Sequence, residues 1–174
     1  AINLFNHSGG YFINNTFYNN SCIKVNNYGG GLNIADGPAL ELTNNLFLEN
    51  DDWAVNEFDD SATDPLMQYN LFDSNPRGDY FNYEDSPTGD LSMAELNSLG
   101  SNIGNFQGSA LLEDPANDLF QPFASSDAVD AGITGSNVPS DDITGAARVD
   151  APDVGAYESA TASDVQDWLM LGER

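Results

Sequence analysis

The pattern Asn-x-Phe-x-x-Asn occurs three times, as Asn15-Thr16-Phe17-Tyr18-Asn19-Asn20, Asn45-Leu46-Phe47-Leu48-Glu49-Asn50 and Asn70-Leu71-Phe72-Asp73-Ser74-Asn75. The anchors are 30 and then 25 residues apart, a period typical of stacked repeat architectures. The third residue before each anchor is apolar (Phe12, Leu42, Met67), and the second after it is Phe17, Phe47 or Phe72. These columns lie five residues apart, an odd separation that sends them to opposite faces of a flat strand. Burying both on one side requires a bend between them. Asn tolerates left-handed backbone better than any residue but Gly, so Asn14-Asn15 and Asn44-Asn45 suit corners, with Asn15, Asn45 and Asn70 as the turning residues.

Repeated corners wind a chain into coils about 4.8 Å apart, held by parallel strand pairing, with like residues stacked on like. The expected fold is all-β, a single-stranded parallel β-helix, with a Phe ladder inside and an Asn amide ladder at the corners. Its predicted core contains Phe12, Phe17, Leu42, Phe47, Met67 and Phe72. Gly29 to Ile34 and Asp36 to Pro38 read as turn, short strand and turn. The acidic stretch from Asp51 to Asp64 is longer than a tight turn needs and predicts a protruding loop, with Trp53 and Phe58 partly exposed or folded back.

Residues 1–75 are thus assigned to Asn-x-Phe coils, 76–110 to an irregular insertion, 111–158 to closing coils and 159–174 to a tail or cap. Two short helical pieces are expected, near 92–100 and 163–171. In the first, Ser92 and Glu95 have capping-box spacing and Gly100 sits where a helix stops. In the second, Val165, Trp168 and Leu169 share a helical face.

The chain has 174 residues and 28 acidic against 4 basic side chains, a formal charge of -24. That field repels phosphate backbones and anionic lipid heads, which makes nucleic acid and membrane surfaces poor partners and suits a saline or calcium-rich outside medium. Cys22 is the single cysteine, so no internal disulfide forms. No run of about 18 apolar residues occurs, so no membrane insertion is expected. Because the chain opens directly in strand-like sequence, it is taken as a mature or truncated piece, with neighbouring chains or upstream coils expected at its N-terminal edge.

In the C-terminal third, Glu113-Asp114-Pro115, Asp127 to Gly132, Asp141 to Gly145, Arg148 and Asp153 to Glu158 follow in order, after Ser98 to Gly104. This succession resembles the closing region of bacterial right-handed parallel β-helix repeat surface proteins, pectate-lyase-like chains with a choice-of-anchor type C-terminal region. With the coils, the resemblance runs from about Gly9 to Glu158. It implies a secreted or cell-surface module acting as scaffold, adhesin or envelope-assembly component, and a structural closing motif in which Asp130, Asp142 and Arg148 pair.

The same superfamily includes polysaccharide lyases, which resemble one another in using Arg or Lys to abstract a proton. Here Lys24, Arg77, Arg148 and Arg174 are far apart in sequence, and only Lys24 lies within the clear repeat. Asp51-Asp52 and Asp59-Asp60 are the acid pairs a hydrolase would use, but adjacent strand residues face opposite ways, and solvated loop acids are the preferred reading. His7, the one histidine, has no nucleophile motif beside it. Asp51, Asp52, Glu57 and Asp59 are the candidate ligands for a structural calcium ion. Asn6, Asn14 and Asn19 match the Asn-x-Ser/Thr glycosylation pattern. A scaffold without catalytic residues, meeting protein chains or glycans, is the expectation. The alternatives are a polysaccharide lyase fragment and a filament subunit.

Overall fold

The computed structural model describes residues 1–5, 9–21, 30–35, 39–57, 64–82 and 90–159, so the turn expected from Asp36 to Pro38 lies outside them. His7, Cys22, Lys24, Phe58, Asp59, Asp60 and the helical piece expected near 163–171 lie outside them.

The first nine strands come in three tiers of three. The tiers are β1 (Ile2–Phe5), β2 (Gly10–Ile13) and β3 (Thr16–Tyr18); β4 (Leu32–Ala35), β5 (Leu40–Thr43) and β6 (Leu46–Leu48); and β7 (Trp53–Glu57), β8 (Leu66–Gln68) and β9 (Leu71–Asp73). Each strand pairs in parallel with the one three places on, giving sheets β1-β4-β7, β2-β5-β8 and β3-β6-β9. The fold is mostly β with parallel sheets. Two strands in the stretch expected to be irregular extend it: β10 (Gly78–Asn82) pairs with β7, and β12 (Phe106–Gln107) pairs with β9.

Register follows the repeat. Phe17, Phe47 and Phe72 are aligned across β3, β6 and β9. Their rings are stacked, with centroids 4.7 Å and then 5.2 Å apart. Leu42 and Met67 are fully buried beside them, while Phe12 is only partly buried, because no tier lies beyond it among the described residues. The left-handed residue at each corner is the one before the ladder Asn: Asn14, Asn44 and Tyr69 before the Phe strands, and Asn19, Glu49 and Ser74 after them. Asn15, Asn45 and Asn70 were expected to make the turn themselves. The left-handed backbone falls instead on the residue before each of them, while Asn15, Asn45 and Asn70 supply side-chain hydrogen bonds between tiers.

Of the stretch from Asp51 to Asp64 expected to be an acidic loop, residues 58–63 lie outside the described ones, and the part before them is mostly strand. β7 runs Trp53–Glu57 through the middle of its sheet and is buried along its whole length. Val55 packs into the core with Leu32, Ile34 and Tyr80. Asn56 continues an amide row, donating to Asn33 at 3.0 Å, and Asn33 donates to Asn3 at 2.8 Å. Gly31 lets this sheet close up, since a β-carbon there would sit 2.2 Å from the Ala54 carbonyl oxygen.

At the far end, β11 (Asp90–Leu91) pairs antiparallel with β10, and α1 (Met93–Leu96) follows. The capping box is present, with Ser92 and Glu95 exchanging hydrogen bonds. It places fully buried Leu96 against the end of the core. The closing segment is not made of parallel strands. β13 (Leu112–Asp114) and β14 (Leu119–Pro122) are an antiparallel pair, and the remainder, dense in Asp, Gly and Pro, is largely turns. Ala110, Ala128 and Val154 cover Leu46, Leu48 and Leu71, which explains why β6 is apolar on both faces.

Candidate functional site

Three places concentrate polar side chains. The first is the set of candidate calcium ligands. Asp51 is exposed at the entry to β7. Asp52 pairs with Arg77 at 3.1 Å, and the Arg77 guanidinium lies 3.7 Å from the centre of the Trp53 ring. Glu57, at the other end of the strand, accepts from the Tyr80 hydroxyl at 2.6 Å and from the Asn82 amide at 3.4 Å. Burial, followed by the neighbouring Glu57 charge and hydrogen bond, pushes the Tyr80 hydroxyl well above its ordinary value, so it stays a donor. Five residues of strand put Asp52 and Glu57 about 16 Å apart, at roughly 3.3 Å per residue. The structure therefore does not bring these two together, and Asp59 falls outside the described residues. Among the described residues no three His, Cys, Asp or Glu side chains are grouped to hold a metal ion.

The second is the closing knot. Arg148 was expected to pair with Asp130 or Asp142. It instead pairs with Glu158 at 3.0 Å, with both side chains 4% exposed, and donates to the carbonyls of Asp153 and Gly155. Glu158 also accepts from the backbone N–H groups of Val149 and Asp153. Asp142 binds backbone, accepting from Thr144 and Ala146 through one oxygen and from Glu158 through the other. Glu158 had carried no role in the sequence beyond ending a motif, and nothing local marks it as the partner of Arg148.

Burial raises the Asp142 carboxyl, but the bonds from Thr144, Glu158 and Ala146 more than offset this and hold it below 3.8. Its folded value is depressed, so its stabilisation is present above the unfolded value and disappears as pH falls through the folded one. Asp142→Asn puts an amide donor against one of these N–H groups and is expected to cost about 1–3 kcal/mol at neutral pH. Urea titrations at pH 7 and pH 2.5 test this, the gap between variant and wild type shrinking at the lower pH. An unchanged gap would show that the carboxylate charge is irrelevant.

The third is the row of corner amides. Asn45 Oδ1 accepts from both Asn15 N and Asn15 Nδ2, at 3.0 and 3.1 Å. Asn70 Oδ1 takes the same two bonds from Asn45, and Asn105 Oδ1 takes them from Asn70. A parallel row links Asn20, Asn50 and Asn75. Because a backbone N–H can only donate, each of these bonds fixes which amide atom is oxygen. Both rows therefore have a direction: each backbone N–H and one Nδ2 hydrogen face the later tier, each Oδ1 faces the edge of β1, β2 and β3, and the second Nδ2 hydrogen of the later Asn residues reaches back to a carbonyl of the preceding tier. At the far end Asn97, the C-cap of α1, accepts from Asn105 and donates back to its carbonyl, closing the row.

Neither a known family model nor a curated protein matches the chain.

Proposed function

We propose that this chain is a right-handed parallel β-helix module of a secreted or cell-surface protein, working as a scaffold or adhesin without catalytic residues of its own. The observation that carries this reading is the use made of the polar side chains. The corner Asn residues bond tier to tier, and both described basic side chains serve the fold: Arg77 is held by Asp52 and Trp53, and Arg148 by Glu158. A stack stitched in this way is rigid along its axis, which is what a display rod needs. Tyr11, 65% exposed beside Glu41 on the outer face of β2 and β5, is the type of surface on which glycans and protein chains dock. The acidic composition supports an outside medium in which salt screens self-repulsion.

The test is incubation of the full chain with polygalacturonate and with alginate, with and without calcium. No unsaturated uronic product is expected. Product that disappears on Lys24→Ala would replace the scaffold with a polysaccharide lyase.

A further inference from the structure

Of the three Asn residues followed by x-Ser or x-Thr, Asn6 lies outside the described residues, and Asn14 and Asn19 stand at the corners on either side of β3. Both have left-handed backbone, with φ of 53° and 48°. Their side chains have opposite surroundings.

Asn14 is 5% exposed, and its Nδ2 donates to the carbonyls of Asp153 and Gly155, at 2.9 and 3.3 Å. Both amide hydrogens are thus engaged. Arg148 donates to the same two carbonyls, so a substituent on Asn14 Nδ2 would have to part the closing knot from the first corner.

Asn19 is exposed, and among the described residues no hydrogen bond reaches its side chain. That exposure belongs to the whole column. Glu49 and Ser74 hold the same corner in the next two tiers, and both are exposed, although Glu49 has a tier on either side of it. A tier laid before β1 would therefore leave Asn19 facing outward. Glu49 and Ser74 also show that this corner does not require Asn. What sets Asn19 apart is the hydroxyl two residues on, the exposed Ser21, where the other two corners have Asp51 and Pro76.

We propose that Asn19 carries an N-linked oligosaccharide and that Asn14 does not. In the transfer, Nδ2 of Asn19 bonds to the anomeric carbon of a sugar held on a lipid diphosphate. The bond from that carbon to the diphosphate oxygen breaks, the lipid diphosphate leaves, and one Nδ2 proton is released. The same pattern results whether transfer precedes or follows folding. A chain substituted at Asn14 loses a bond to the closing segment and cannot bury that corner, whereas one substituted at Asn19 folds with the sugar in solvent.

The inference rests on the secreted or cell-surface reading. Its test is to recover the full chain from its own cells, separate interior from exterior, and map the peptides by mass spectrometry before and after enzymatic removal of N-linked sugar. Exterior protein with Asn19 substituted and Asn14 bare is expected. Asn19→Gln and Ser21→Ala should each abolish the substitution at this corner, and Ser21→Thr should keep it, with circular dichroism unchanged in all three. Exterior protein with Asn19 bare, folded protein with Asn14 substituted, or a sugar retained on Asn19 in Ser21→Ala overturns the site and leaves the scaffold reading standing. Protein confined to the interior overturns both.

Discussion

Phe47→Ala is expected to lower the stability of the protein by about 3–5 kcal/mol, the range for emptying a fully enclosed aromatic site. Phe47 is the middle ring of the stack, wholly buried, with Phe17 at 4.7 Å on one side and Phe72 at 5.2 Å on the other. The tiers are fastened above and below it by Asn45 and Asn50, so the walls have little freedom to collapse into the space. Against a typical total of about 5–15 kcal/mol this is a large share. Phe47→Leu therefore provides a graded second variant that keeps most of the volume and retains the fold if the alanine form does not. Urea denaturation followed by circular dichroism measures both. A loss below about 1 kcal/mol for the alanine variant would mean that the stack does not carry the core.

Arg148→Met is expected to cost about 3–5 kcal/mol, because it leaves the Glu158 carboxylate buried without its counter-charge. The pH dependence has a definite sign. Burial is the main influence on Glu158 and raises its carboxyl above 4.5, against the lowering by the Asp153 and Val149 N–H groups and by Arg148. Removing Arg148 raises it further. A carboxyl raised in the folded state penalises folding when ionised, and the penalty is relieved as pH falls through the folded value. The variant is thus expected to lose more stability at pH 7 than at pH 4. Restoring part of the loss with Glu158→Gln in the same chain would confirm that an unpaired charge is the cause. A loss independent of pH would assign it to packing instead.

Much of the architecture was legible in the residue order. The spacing of Asn15, Asn45 and Asn70 predicted parallel pairing in register, and the Phe column and its apolar companions Leu42 and Met67 are where that register places them. Ser92 and Glu95 announced α1 by the same kind of local rule. The stretch from Asp51 misled because its acids suggested solvent. Asp52 is neutralised by Arg77 from the following tier, and Glu57 is satisfied by Tyr80 and Asn82, so Trp53–Glu57 lies buried as a central strand. The repeat also continued further than it could be read. Asn105 takes over from Asn70 after 35 residues, but Phe106 stands over Leu71 and not over Phe72, so the motif no longer looks like itself.

The sequence by itself determined the tiers, the corners and the buried columns, since a contact that recurs at a nearly constant separation leaves a periodic trace. Only the tertiary structure decided which residue at each corner takes the left-handed conformation and that Arg148 belongs to Glu158. It alone shows that the closing segment lies against the first two tiers, where Asn14 bonds Asp153 and Asn44 bonds Ile133 across 139 and 89 residues. Such contacts occur once, between distant segments, and depend on surfaces that exist only after the tiers have stacked. No local pattern encodes them.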